Sequence, residues 1–223
     1  MDYEKFLKCI KCTQKIWATG IFPEEAKYER LREKGDDYWL HLERMPEDNL
    51  GKEIITGFLN KWGCRLPRPD PDSEKGRELL RNLKKAVKQL PDYYEHLENF
   101  RIEDMEFGGD NLFLIDRIYS TFRQIKPKFG SVAASKLMHM ALPNLFMMWD
   151  DAIINEYGVK KQVLPYFGRR VWSYMAFLML MQENIRHIKE TNPRGSTVTN
   201  QELFRQINKE CGYESLPITR LLD

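Results

Sequence analysis

Apolar residues recur at helical spacing through most of this 223-residue chain. They fall three to five residues apart and so share one face of a helix, and no segment shows a convincing alternation of apolar and polar positions. The pattern predicts an all-α protein of about nine helices, with a short β-hairpin as an option somewhere in 101–108. The clearest helical segments are 3–17, 50–62, 79–90, 112–125, 131–142, 171–181 and 203–207.

Capping residues and helix breakers set the expected boundaries. Ser73 precedes one helix, Asp110 and Asn111 precede another, and Thr199 with Glu202 forms a capping box before a third. The Pro-rich segment 66–72 is the best candidate for a connection between two parts of the chain. We therefore expect residues 1–223 to form one domain of two helical lobes joined at 66–72.

The composition indicates a globular protein without naming an activity. Hydrophobic residues make up 42% of the chain and the net charge is +2, which excludes intrinsic disorder. Two stretches, 117–136 and 159–170, contain basic residues and no acidic ones. They are either ordinary solvated faces or a basic patch that follows a phosphate backbone. The basic residues are Arg117, Arg123, Lys126, Lys128, Lys136, Lys160, Lys161, Arg169 and Arg170.

The cysteines and the apolar runs bear on the compartment. The N-terminal residues lack the apolar core of a secretory signal, and the run 171–181 is too short to span a bilayer. No second C-x-x-C or Cys–His pair follows Cys9 and Cys12, as a tetrahedral metal site would require. We expect a cytoplasmic protein with reduced thiols, no membrane association, no metal and no cofactor. The alternative is a zinc or iron–sulfur site formed by Cys9, Cys12, Cys64 and Cys211.

Residues 111–158 carry the candidate chemistry. A helix ending near Ile125 is followed by a turn at 126–130 and by a second helix that starts at Ser131 or Val132. A tight turn of this kind leaves backbone N–H groups exposed at the N-terminus of the second helix, where a phosphate can bind. The candidate nucleic-acid-binding residues are Lys126, Lys128, Gly130, Ser131 and Lys136.

This segment resembles the helix-hairpin-helix superfamily of DNA glycosylases, the endonuclease III-like group. The hairpin of that group reads roughly L-P-G-V-G, with an essential Asp at the start of a later helix. This chain reads I-K-P-K-F-G and then M-M-W-D, ending at Asp150. The resemblance implies a helix-hairpin-helix motif, double-stranded DNA as the partner and Asp150 as the catalytic carboxylate. Val132 stands where lyase members carry a lysine, which implies a monofunctional N-glycosylase.

Several side chains in this segment have two interpretations. Tyr119, Phe129 and Trp149 would either stack on a flipped base or pack in the core, and packing is the more common role of such residues. Asp150 would be either catalytic or a helix N-cap. Lys136 lies one helical turn after Val132, so it would be either a relocated amine or a surface lysine, and we expect a surface lysine.

Three functions are compatible with these patterns. The first is a base-excision N-glycosylase, the second a DNA-binding relative without catalysis, and the third a helical interaction module that binds no nucleic acid. Duplex binding with a steep salt dependence would separate the first two from the third. Access of Asp150 to a pocket would separate the first from the second.

Overall fold

A computed structural model describes residues 1–18, 42, 44–127, 129–166, 169–193 and 198–212. Within these ranges the protein is mostly helical, as predicted, with nine α-helices and one two-stranded antiparallel sheet. The helices are α1 (Tyr3–Ala18), α2 (Glu47–Asn49), α3 (Glu74–Lys88), α4 (Pro91–Leu97), α5 (Gly109–Arg123), α6 (Gly130–Ala141), α7 (Asp151–Tyr157), α8 (Ser173–Glu190) and α9 (Asn200–Glu210). The strands are β1 (Val163–Tyr166) and β2 (Arg169–Trp172).

The predicted caps at Ser73 and Thr199 both form. The Ser73 hydroxyl accepts the Gly76 N–H at the start of α3, and both bonds of the Thr199–Glu202 capping box are present at α9. Helix α5 differs, because it begins at Gly109, with Gly108 as N-cap and no side-chain capping bond. Asp110 therefore lies inside the first turn of α5, where its negative charge still faces the positive end of the helix dipole.

The predicted helix at 50–62 is a π-helical segment over Leu50–Leu59, which directly continues α2. Its buried residues come in adjacent pairs that recur every four residues, at 50–51, 54–55 and 58–59. A repeat of four residues is longer than the 3.6-residue turn of an α-helix. It keeps the buried pairs on one face of a helix whose backbone hydrogen bonds join residues i and i+5. The pattern therefore predicted the burial correctly and the helix type incorrectly.

The two paired strands lie at 163–166 and 169–172, and residues 101–108 form turns and loop instead of strands. Each strand has four residues, too few for an alternating pattern to stand out, and the strands contain Pro165 and paired arginines. Val171 and Trp172 belong to β2, although the apolar run had placed them in a helix. Helix α8 begins at Ser173 and continues past the end of that run to Glu190.

An aromatic cluster occupies the core between α5, α8 and the segment before α7. Tyr119 stacks on Tyr174 with ring centroids 4.6 Å apart, and Trp149 stacks on Phe177 at 5.9 Å. All four side chains are buried.

Segment 66–72 is coil and turn, and its role as a connection between two lobes stays a prediction.

No helix in the described part of the chain combines the length and the apolar character that crossing a membrane requires.

Candidate functional site

Helices α5 and α6 form the predicted helical pair around a turn. They pack directly on each other, and the turn between them begins after Arg123 and ends at Gly130. Gly130 has φ = +66°, a left-handed conformation that favours glycine over any residue with a Cβ atom. Asn82 of α3 donates to the Lys126 carbonyl at 3.1 Å and so holds the turn in place. Lys128 lies outside the described residues.

The N-terminus of α6 is suited to an anion. No side chain in the described structure caps it, and its first turn contains no acidic residue. Its first backbone N–H groups therefore lack intrahelical acceptors and add to the positive end of the helix dipole. The Lys126 side chain is exposed nearby in the turn. The use of this helix end as a phosphate site stays a prediction.

Asp150 is the N-cap of α7, and one of its two carboxylate oxygens forms the capping hydrogen bonds. Oδ1 accepts the N–H groups of Ala152 and Ile153 at 3.0 and 3.1 Å. The other oxygen, Oδ2, lies 4.0 Å from the Lys136 ammonium. The Asp150 side chain is 37% exposed, so the carboxylate still reaches solvent. Capping and a catalytic role are thus geometrically compatible.

Lys136 is buried, and its prediction as a surface lysine is wrong. Its side chain is 8% exposed, and Nζ donates to the Trp62 carbonyl at 2.6 Å. The same ammonium lies 5.8 Å from the centroid of the Trp62 ring. A phosphate backbone cannot reach a side chain covered in this way, so the prediction of Lys136 as a nucleic-acid contact is also wrong. Its charge faces Asp150 instead.

Hydrogen bonds join the segment before Asp150 to helices α6 and α8. The Ser135 hydroxyl of α6 accepts the Trp149 N–H at 2.9 Å, and the Tyr174 hydroxyl of α8 donates to the Met147 carbonyl at 2.7 Å. Both bonds are buried. Because Ser135 and Lys136 are neighbours on α6, the same helix fixes the backbone before Asp150 and supplies the cation beside it.

The loop at 62–64 is a part of this site that the sequence did not indicate. Trp62 and Cys64 are brought to Lys136 from about 70 residues away in the chain. Burial raises the pKa of the Cys64 thiol from 9.0 to about 11, while Lys136 lowers this pKa and Asp150 raises it. An amine, a carboxylate and a thiol therefore interact here, and we name Lys136, Asp150, Trp62 and Cys64 the Asp150 cluster.

Cys64 is expected to react slowly with iodoacetamide at pH 8, because a pKa of about 11 leaves only about one thiol in a thousand ionised. Its alkylation rate should rise as the pH approaches 11. Because the pKa of the Cys64 thiol is raised in the folded chain, its protonated form contributes fully to the free energy of unfolding below about pH 9. This contribution is lost as the pH rises through about 11. Peptide mass spectrometry over time would measure the rate, with exposed Cys9 as the reference thiol. Equal rates for Cys64 and Cys9 at pH 8 would contradict the assignment.

The three base-stacking candidates lie in the core. Tyr119 and Trp149 are fully buried and Phe129 is 3% exposed. Phe129 packs towards Phe122 with ring centroids 6.5 Å apart. None of the three presents a ring face to solvent, so each takes the packing interpretation and not the stacking one.

The basic stretch 117–136 separates into residues with different surroundings. Arg117 is exposed and lies over the Tyr93 ring, whereas Arg123 lies over the Trp172 ring, 3.7 Å from its centroid. Lys126 is exposed in the turn. In the stretch 159–170, Lys160 and Arg170 are exposed and Lys161 pairs with Asp151 at 2.8 Å. The cations available to a nucleic acid are thus fewer than the sequence suggested.

The described residues contain no group of three His, Cys, Asp or Glu side chains arranged to hold a metal ion. Cys9 is exposed, Cys64 is half-buried and Cys211 is buried in the core beside α9. Comparisons of the chain with protein-family models, with curated proteins and with solved structures found no match.

Proposed function

We propose that this chain binds double-stranded DNA and hydrolyses the N-glycosidic bond of a base flipped out of the duplex, with Asp150 as the catalytic carboxylate. The observation that carries the proposal is the pair formed by Asp150 and buried Lys136, with Oδ2 and Nζ 4.0 Å apart. Lys136 belongs to α6, the helix whose uncapped N-terminus follows the turn that contains Lys126.

Binding is assigned to the turn between α5 and α6. Its cation and the free N–H groups of α6 would contact phosphate oxygens, which fixes the position of the protein on the duplex without reading the base sequence. The space beside Gly130 is open, since a Cβ atom placed there would meet no atom of the described residues within 4 Å apart from its own chain neighbours and helix backbone. Lys128 is part of this proposal on the sequence alone.

Catalysis is assigned to the carboxylate of Asp150. As the bond from C1′ of the sugar to the base nitrogen breaks, the base departs with the electron pair and positive charge builds on the sugar. A fixed carboxylate stabilises that charge, and most strongly where water is excluded. Water then adds its oxygen to C1′ and gives up a proton, and the departing base acquires one, so the products are a free base and an abasic site.

Lys136 acts in this proposal as a positioning residue for Asp150. Its ammonium already donates to the Trp62 carbonyl and faces a carboxylate, and its side chain is 8% exposed. A lysine that attacks C1′ must reach the sugar, and the burial and contacts of Lys136 Nζ oppose this. Together with Val132 at the position of the lyase lysine, this supports a monofunctional enzyme.

Replacing both Lys126 and Lys128 with Glu is expected to weaken duplex binding at least tenfold and nearly uniformly across sequences, because phosphate contacts carry no base specificity. The magnitude of the slope of log K against log[salt] should fall by about 2, one unit for each phosphate that the variant no longer neutralises. Fluorescence anisotropy with two unrelated duplexes over a range of salt concentrations would measure both quantities. Exposed Lys75 and Lys209, on α3 and α9, provide a double Glu control with the same change in net charge. Equal affinity of the variant and the parent would contradict the assignment.

The binding measurement together with an assay of base release separates the three functions. A parent that binds the duplex with a steep salt dependence but releases no base would be a DNA-binding module. A parent that binds no duplex at physiological salt would be a helical interaction module, and both parts of the proposal would fail.

A further inference from the structure

The guanidinium of Arg123 is held in a fixed orientation at the meeting point of α5, α6 and β2. It lies over the Trp172 ring, 3.7 Å from the ring centroid, and its Nε donates to the Ser131 hydroxyl at 3.3 Å. The contact with the ring and the bond from Nε together restrict where the guanidinium can lie. Arg123 is only partly buried, so this orientation is maintained at the surface.

A hydrogen bond and a ring contact hold Trp172 against α5. Its backbone N–H donates to Asp116 Oδ1 of α5 at 2.7 Å, and its ring meets the edge of Tyr119 at a centroid distance of 6.2 Å. The neighbouring Ser173 is tied to the start of the hairpin, since its hydroxyl donates to the Lys160 carbonyl and accepts the Gln162 N–H. The end of β2 is therefore held against α5 and against the residues before β1 by these contacts.

The two terminal nitrogens of Arg123 carry four N–H donors, and none of them has an acceptor within the described part of the chain. Among the described residues, no carboxylate lies within ion-pair distance of Arg123. An arginine fork that is oriented, partly exposed and unpaired matches the geometry of a phosphate diester, which it can bind through two parallel hydrogen bonds.

We infer that Arg123, held over the Trp172 ring, is a phosphate-binding arginine for the duplex backbone. The inference deepens the proposed function, on which it rests, because it assigns a second contact on the surface that continues from the α5–α6 turn through Ser131. The β1–β2 hairpin is then the support for this contact, and the sequence did not indicate either the strand or the stack.

The test compares four variants for binding to an unmodified 20-base-pair duplex over a range of salt concentrations. Arg123→Gln removes the charge and the fork, and it should weaken binding at least tenfold and reduce the salt slope by about 1. Arg123→Lys keeps the charge and should restore the slope but not the affinity, because an ammonium cannot form two parallel bonds. Trp172→Leu should also keep the slope and lose affinity, since the cation stays but is no longer held. Arg205→Gln, at an exposed position of α9, is the matched control and should bind like the parent.

The outcomes distinguish this inference from the proposed function. Parental affinity and slope in Arg123→Gln, with weakened binding in the Lys126 and Lys128 double variant, would overturn the inference and leave the proposed function standing. Full affinity in Arg123→Lys would show a simple point charge and would also overturn it. A parent that binds no duplex would overturn both. Thermal melting of each variant identifies any loss of binding that follows from unfolding. If Arg123→Gln unfolds, the test rests on Arg123→Lys, which keeps the charge and nearly the length of the side chain and so shows whether the affinity requires the guanidinium.

Discussion

Asp150→Asn is expected to reduce base release at least a hundredfold on any duplex from which the parent releases a base. Asn keeps the size of the side chain, and its oxygen can still accept the N–H groups of Ala152 and Ile153, so α7 should stay capped. The negative charge near the sugar is lost, and loss of one preorganised electrostatic group costs about 10²–10³ in rate. Single-turnover release of base, measured beside duplex affinity, would show a slower step with binding nearly unchanged.

Asp151→Asn is the matched control for this variant. Asp151 is the next residue, its side chain is 86% exposed, and it pairs with Lys161 at 2.8 Å instead of facing Lys136. The control should release base at the parental rate. If Asp150→Asn is as active as the parent, the carboxylate serves only as a helix cap, and the catalytic assignment is wrong.

Lys136→Met is expected to have the second largest effect, because it removes the buried cation of the Asp150 cluster. Met fills a similar volume, but the Trp62 carbonyl loses its donor at 2.6 Å, which costs about 1–3 kcal/mol of unfolding free energy. Base release should fall about 10–100-fold, because Asp150 Oδ2 loses the charge that positions it. Chemical denaturation gives the first quantity, and single-turnover kinetics at saturating protein gives the second, with duplex affinity little changed.

Lys84→Met separates general destabilisation from the effect on Asp150. The Lys84 ammonium, on α3, also donates to a backbone carbonyl, but that carbonyl belongs to Met45, which is not part of the Asp150 cluster. This control should lose stability without losing base release once the folded fraction is equal. Parental base release in Lys136→Met would contradict the positioning role.

The helical architecture could be predicted because local signals agreed with it. Apolar spacing marked the buried faces, the Thr199–Glu202 box marked the start of α9, and the turn after Arg123 followed from Pro127 and Gly130. The β-hairpin could not be predicted, because strands of four residues carry too little periodicity and continue directly into the apolar run of α8. Its stability comes from contacts with α5, which local sequence does not encode.

The candidate site was only partly predictable for a related reason. Asp150 was identifiable as a cap because its partners are two and three residues away. The burial of Lys136 depends on Trp62, 74 residues earlier in the chain, so no local pattern could distinguish it from a surface lysine. The same holds for Arg123, whose stacking partner Trp172 is 49 residues later.

The most direct test of the central claim is release of base by the parent protein from a panel of duplexes that carry uracil, alkylated, oxidised or mismatched bases. Alkali after incubation converts each abasic site into a strand break, and borohydride during incubation traps any Schiff base between an amine and the sugar. We expect alkali-dependent breaks at the modified position of at least one duplex, and no protein–DNA adduct. Absence of breaks in every duplex would contradict the enzymatic claim, and an adduct that disappears in Lys136→Met would show that the amine is the nucleophile.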